Sequence, residues 1–487
     1  MSTIIRTIFE FAERKPDQFA LINGDICLSY YDLCEQILRV ADYLKKKGVK
    51  EGDRVVIVAI VSSEFVVCYL AVHLLSAIAV PVSPTIVKSR LEEIIELTNA
   101  CCVVLDVNRI SMTGFPCYLS AKNFIFPDEE EIAEILFTTG TTGVPKGVTL
   151  THRNIRSAAE NINEFILNTG EEREIIALPL CHSFGLARLR CQFLKGGTAI
   201  LSNGPFLAHR IIQLMKKWQA TGLSVVPSGM DLLWQFAGDR LGEFCGDLKY
   251  IELGSASMSQ EAKMRLLNFL PKTRICMHYG LTEASRSAFI EFHSSRSFLT
   301  SIGNSAPNVS LRIIDSNFNE LSDGMAGQIS VKGEHVMLGY WRNGRIDNQS
   351  TQEGWFQTGD LGYKDSNGYF YLIGRESEVI NVGGRKVSPI EVEEAVMKID
   401  GIEECACVGV PDPRGLTGET VKVFVKTQLP QLSEADMINF LRTHLESFQI
   451  PTQFEWVDFV PKTESGKIKR AWFKKTKDSF SYANNDA

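Results

Sequence analysis

Through the first three hundred residues, short apolar runs alternate with longer stretches whose apolar positions recur at helical spacing. VVIVAIV (55–61), CVVLD, EIIALPL, GTAIL and GLSVVPS have the length and branched content of buried strands, while EFVVCYLAVHLLSA and DLLWQFAGD read as helices. Strands apolar on both faces and separated by helices predict parallel sheets covered by helices. From about residue 308 the texture changes. VSLRIID, GQISVKG and YFYLIG are separated by DSNFNE, SDGMAG and KDSNG, which predicts hairpins. Beyond Gly374, the strands EVINVGG, CACVGVPD, TVKVFVKT and FEWVDFV alternate with the helical SPIEVEEAVMKI and ADMINFLRTHLES. The expected fold is α/β. A large N-terminal domain of parallel α/β sheets covers 1–374, with a β-rich subdomain at about 308–373, and a small α+β C-terminal domain covers 375–487.

Length agrees with that division, because 487 residues exceed what one hydrophobic core supports. One segment needs care. Phe65 to Val87 holds no Lys, Arg, Asp or Glu, but Pro81 and Pro84 interrupt it and polar residues are scattered through it, so it reads as buried helix and strand rather than a membrane span. A net charge of -7 without a long basic run gives no footprint for nucleic acid or an anionic membrane, leaving small molecules and proteins as partners. The twelve cysteines include adjacent Cys101 and Cys102 and alternating Cys405 and Cys407, with no zinc-spaced CxxC pair, so reduced, mostly buried thiols are expected. MSTIIRTIFEFAERKPD carries acidic residues early and lacks an apolar core with a cleavage site, which points to the cytoplasm.

Candidate chemistry begins at FTTGTTGVPKGV, residues 137–148. Glycines let backbone amides approach a ligand, threonine hydroxyls add donors and Lys146 adds positive charge, a composition that suits polyphosphate. The stretch does not match GxxxxGK[ST], since Lys146 follows Pro145 and precedes Gly147. Its composition alone leaves a phosphate loop and a flexible turn as equal readings.

Further motifs change that balance. Thr138 to Gly147, LPLCHSFGL with Pro179, His182 and Gly185, YGLTE at 279–283, WFQTGDLG at 355–362, Gly374–Arg375 and PKTESGKIKR with Lys467 follow one another in order. In this set the chain resembles the adenylate-forming superfamily of acyl-CoA synthetases, aryl-CoA ligases, luciferases and nonribosomal adenylation domains. The resemblance implies that Thr138, Thr139, Gly140, Thr141, Thr142, Gly143 and Lys146 cradle ATP phosphates. It implies Glu283 as the magnesium ligand, Thr282 as a donor to the α-phosphate and Tyr279 along the adenine face, with Gly254, Ser255 and Ala256 at the adenine edge. Asp360 and Arg375 would contact the ribose, and His182 would flank the acyl pocket and thiol tunnel. The ordinary alternatives are turn packing, a helix-start glutamate, surface arginine and lysine, and a structural histidine.

Lys467 is the implied catalytic lysine. A carboxylate attacking the α-phosphorus brings two anions together, and a lysine at that point offsets the repulsion. Its place in the small domain implies a mobile lid and a hinge. After adenylation the loop NVGGRKVSP would face a pantetheine thiol, with Gly383 and Gly384 keeping a channel narrow. Met230, Trp234 and His278 are candidates for the acyl pocket wall, a mixture that suits an aromatic or medium-length acid. The hinge departs from the family pattern, with Ser377 at the pivot and Asn381 where many relatives have lysine. The expectation is an AMP-forming acid:thiol ligase using ATP, Mg2+ and CoA, as a monomer or homodimer. Delivery to the phosphopantetheine of an acyl carrier protein is the alternative, and a non-catalytic nucleotide-binding member a remote one.

Overall fold

The computed structural model describes residues 2–107, 125–139, 145–204, 206–245, 247–342, 344–428, 433–463 and 467–475. By internal contacts the chain divides into two compact units, Met1–Leu311 with Val331–Gln357, and Arg312–Ser330 with Thr358–Ala487.

The first unit holds two large sheets. In one, the strands Arg54–Val58, Ile78–Val82 and Cys102–Val104 run parallel, and Ile132–Thr139 joins them parallel to Ile78–Val82. Pro145–Thr151 then turns back antiparallel along Ile132–Thr139, and Gly339–Arg342 adds to it antiparallel. In the other, Phe19–Asn23, Thr198–Leu201, Arg173–Ile176, Gly222–Val225, Tyr250–Leu253 and Arg274–Tyr279 are all parallel neighbours, with antiparallel strands at both edges. Continuous apolar runs became these strands because both faces are covered. The charge-free segment resolves into most of the helix Ser63–Leu74, buried at every residue from Phe65 on, and the buried strand Ile78–Val82. Ser62 caps that helix by accepting from Phe65 N, which fixes where the apolar run starts to coil. No helix among the described residues is long and apolar enough to cross a membrane.

One helix ties the two sheets. Ser183–Lys195 is buried from Phe184 through Phe193, including its two arginines. Arg188 reaches Glu174 on the strand Arg173–Ile176 of one sheet, and Arg190 reaches Glu134 on Ile132–Thr139 of the other. Such buried charges are tolerated because each is paired and hydrogen bonded; Tyr69, for example, donates to Glu134 at 2.9 Å and accepts from Arg190 at 2.7 Å.

The second unit centres on the strands Ile402–Pro411 and Glu419–Thr427, antiparallel to each other, with Gln453–Trp456 parallel to the latter. The helices Pro389–Val396 and Glu434–Leu441 cover this sheet, burying Val392, Val396, Met437 and Leu441 against Val423 and Val425. The stretch expected as a β-rich subdomain is distributed rather than separate. Gly339–Arg342 pairs with Pro145–Thr151 inside the large unit, whereas residues 312–330 and 358–374 group with the C-terminal unit.

Candidate functional site

The glycine-threonine stretch joins two antiparallel strands. Thr138 pairs with Lys146 and Thr139 with Pro145 across Ile132–Thr139 and Pro145–Thr151, so Lys146 leaves the end of the sheet exposed to solvent. A hairpin, rather than a strand running into a helix, explains the mismatch with the ordinary phosphate-loop pattern. Gly140, Thr141, Thr142 and Gly143 lie outside the described residues, as does the Thr139 side chain. Gly147 is closely packed, since a Cβ there would meet Ile135, Trp341 and Phe137 at 3.0 to 3.2 Å.

Lys146 and Glu283 meet at a residue that no motif pointed to. The Lys146 ammonium lies 5.4 Å from the centre of the Tyr340 ring, and the Tyr340 hydroxyl donates to Glu283 Oε1 at 2.8 Å. Tyr340 is placed by pairing of Gly339–Arg342 with Pro145–Thr151, where it faces Val148. Glu283 is half-buried in a turn closed by Leu281 N to Ala284 O at 3.0 Å, and its own carbonyl accepts from Met337 N. A carboxylate oriented through one oxygen by a phenol, beside a lysine, is a donor set that fits a hard divalent cation shared with phosphate. Thr282 sits half-buried in the same turn.

Gly254, Ser255 and Ala256 follow the strand Tyr250–Leu253, adjacent to the strand that ends at Tyr279. This is the carboxyl end of parallel strands, where open α/β sheets bind ligands. The His278 ring packs onto Gly254 so closely that a Cβ there would lie 2.0 Å from Cε1. Ser255 turns the chain with φ 72°, a left-handed conformation held at a strand end. Burial holds His278 down at about 4, and Arg286 adds to the effect, so its ring is neutral at pH 7. Its Nδ1 lies 2.8 Å from Glu252 Oε1.

Beneath these residues lies a buried network of two carboxylates and two guanidiniums. Arg188 binds Glu174 through Nε at 2.7 Å and Nη2 at 2.6 Å, and its Nη1 lies 2.9 Å from Glu252. Tyr250 adds a hydroxyl to Glu174 at 2.7 Å. Arg286 Nε donates to Glu252 at 3.1 Å. Burial alone would raise Glu252, yet Arg286, Arg188 and the approach of His278 outweigh it and hold the carboxyl well below its usual range. A charged residue inside an otherwise apolar strand, as in YIEL and REII, was the available sequence signal for this network.

His182 is the residue preceding the helix Ser183–Lys195, half-buried. Gly185 follows because a Cβ would come within 2.3 Å of Pro179 O. Met230 is buried in the core of the helix Pro227–Ala237, while Trp234 packs edge-on against Phe269 and under the Arg265 guanidinium, 3.5 Å from the ring centre.

In the second unit, Asp360 and Arg375 are cross-strand partners on Trp355–Lys364 and Phe370–Arg375, joined at 2.9 Å. Arg375 Nη1 also donates to Thr358 O at 2.7 Å. Ser377 is exposed in the turn that follows. Gly383 and Gly384 form the turn between Ile380–Val382 and Arg385–Val387, with φ of 60° and 84°. Left-handed backbone at two consecutive positions is the local reason for the glycine pair. Asn381 supports that turn, its Oδ1 accepting from Gly384 N at 2.9 Å. Lys467 is exposed, and its carbonyl accepts from Thr463 N at 2.8 Å while Lys462 and Ile468 bridge behind it.

Known proteins resemble this chain along most of its length. The profile of the AMP-binding enzyme family matches residues 8–341, and that of the AMP-binding enzyme C-terminal domain matches 391–467. The chain is 29% identical to a 2-succinylbenzoate–CoA ligase of Bacillus licheniformis, over 94% of this chain and 97% of that one. It is 28% identical to a long-chain-fatty-acid–CoA ligase of Salmonella typhimurium, over 95% and 92%. The crystal structure of ATP-bound MatB from Rhodopseudomonas palustris superposes with a TM-score of 0.89 at 26% identity, covering 98% of this chain and 99% of that one. With its large-domain match spanning well over half the sequence, the chain belongs to the AMP-binding enzyme family, the adenylate-forming superfamily that its motifs resemble.

Proposed function

We propose that this protein is an AMP-forming carboxylate–CoA ligase. A carboxylate oxygen bonds to the α-phosphorus of ATP as the bond to the bridging oxygen breaks and pyrophosphate leaves; a thiol then takes the acyl group and AMP leaves. The observation that carries this reading is the joining of Lys146 and Glu283 through Tyr340, in a chain of this family.

Each residue has a physical task. The glycine-threonine stretch between Thr138 and Lys146 receives the outer phosphates, and Thr282 donates to the α-phosphate. Glu283 is the carboxylate that would hold Mg2+, which when bound supplies positive charge to the phosphates. Asp360 accepts from the ribose hydroxyls, and Arg375 aims it; their 2.9 Å contact supports that pairing. Lys467 offsets the repulsion between carboxylate and phosphate. Its task changes between the two half-reactions, and the exposed turn at Ser377 is the proposed hinge between a domain ending near 374 and the lid after it. Names of relatives place fatty, coumaric-type and succinylbenzoic acids within the family's range; the acid taken here is an organic carboxylate of that breadth. A cytoplasmic location belongs to the same reading, supported by the described cysteines, all of which are free thiols.

The test is a panel of carboxylic acids incubated with ATP and CoA, with a pantetheinylated carrier protein, or with neither acceptor. AMP release dependent on an acid, with an acyl-CoA detected by mass spectrometry, is expected. AMP release that no acid stimulates would contradict the ligase reading, and thioester found only on the carrier protein would correct the acceptor.

A further inference from the structure

Arg286 makes an unusual set of contacts for a residue three positions beyond Glu283. Its side chain is 2% exposed and its backbone is left-handed at φ 58°. Nε donates to Glu252 Oε1 at 3.1 Å, two residues before Gly254 on the adjoining chain segment. Nη1 donates to Ser183 O and Nη2 to Phe184 O, both at 3.2 Å, in the first turn of the helix that His182 precedes. The guanidinium also lies 4.6 Å from the centre of the Phe184 ring, which meets the His278 ring edge-on at 4.7 Å. Its backbone is held as tightly, since a Cβ on Gly280 would lie 2.4 Å from Arg286 N. The residue thus touches three segments of the candidate site, two through its guanidinium and the third through its own backbone.

We propose that Arg286 is a positioning residue for adenylation: through Glu252 and the Ser183 and Phe184 carbonyls, it sets the spacing among the Gly254–Ala256 strand end, the Thr282–Glu283 turn and the His182 segment. The inference rests on the adenylation reading of those three segments. Five guanidinium donors in a fixed fork can satisfy acceptors in three directions, which a lysine ammonium on a flexible stem cannot reproduce. A left-handed non-glycine backbone carries strain that persists where the surroundings over-determine it. The network is neutral only with both arginines set against Glu174 and Glu252, so Arg286 supplies the second positive charge as well as direction, and Arg286→Lys, which keeps the charge, isolates the direction.

The experiment compares Arg286→Lys and Arg286→Gly with the wild type, by acid-dependent pyrophosphate release and by near-ultraviolet circular dichroism. Glycine suits φ 58° and so separates lost contacts from backbone strain. A displacement near 1 Å lowers turnover by on the order of 10²-fold, so kcat of both variants falls on that scale while KM for ATP stays within a few-fold. Guanidinium ion at non-denaturing concentration raises kcat of Arg286→Gly, and methylammonium does not. The low-pH limb of kcat moves upward in Arg286→Gly, because His278, facing Glu252, Arg188 and Arg286, loses one of the positive neighbours that keep it neutral. Folded variants with wild-type kcat, or losses that only track the folded fraction, would overturn the proposal. Wild-type protein in which no acid drives pyrophosphate release would instead overturn the underlying adenylation reading.

Discussion

Two carboxylate–guanidinium pairs at the candidate site differ in exposure. Arg286 and Glu252 in the large unit are 2% and 0% exposed, whereas Arg375 and Asp360 in the C-terminal unit are 39% and 6% exposed. The buried pair spends its donors on backbone carbonyls and on a carboxylate that also meets Arg188. The half-exposed pair keeps a solvent-facing side on which a ligand can bind. Burial therefore separates groups that hold a site's geometry from groups that act on a substrate. Lys467, exposed on its turn, belongs with the second kind.

That contrast can be broken most severely at its buried end. Arg188→Ala leaves Glu174 and Glu252 short of a partner in a dry interior, and removing one member of such a network lowers stability by about 3–5 kcal/mol. Urea denaturation measures this directly; a loss under about 1 kcal/mol would mean that the network is not what fixes this helix to its sheet.

Acid should weaken the same interior. Burial lowers His278 and His335 to about 4 and His152 to about 3. In the unfolded chain these rings take up protons near pH 6.5, before the folded protein does, so stability is lost as pH falls from about 6.5 towards 4. Glu252 is depressed instead, so its contribution fades only below the ordinary carboxylate range. The melting temperature is expected to be level between about pH 7 and 8 and to fall steadily below 6.5, with a shallower fall in His335→Gln. A level profile down to pH 5 would show that these histidines are not buried neutral.

Effects at the half-exposed pair should be smaller and of a different kind. Arg375→Ala changes stability by no more than about 1 kcal/mol, as for other partly exposed pairs. Its expected consequence is a rise in KM for ATP of about tenfold, equivalent to ~1.4 kcal/mol of lost binding. A large stability loss with unchanged KM would place Arg375 among the structural groups. Least of all, Tyr340→Phe removes one hydrogen bond to the Glu283 carboxylate and should raise the Mg2+ concentration needed for ATP binding by a few-fold in calorimetry.

The residues readable in the sequence were those fixed by backbone need or by a motif. The parallel sheets followed from apolar runs bounded by helices, and TTGTTGVPKG, YGLTE, TGD, GR and SGK located the candidate site segments. Tyr340, Arg188 and Arg286 were not readable, because their significance depends on partners 57, 14 and 34 positions away in the chain, Glu283 for Tyr340, Glu174 for Arg188 and Glu252 for Arg286. Spacing patterns report one element at a time, whereas tertiary pairing of charges has no period. Gly383 and Gly384 carry a different lesson. A glycine pair expected beside a thiol channel also has a complete local explanation in the left-handed turn it occupies, so its residue type cannot by itself reveal a ligand path.

The most direct test of the central claim is acid-dependent exchange of labelled pyrophosphate into ATP, measured for the wild type and for Lys467→Ala. Adenylation predicts exchange that requires a carboxylic acid and falls by on the order of 10²–10³-fold in the variant, with melting temperature unchanged. Exchange that needs no acid, or that survives intact without Lys467, would contradict it.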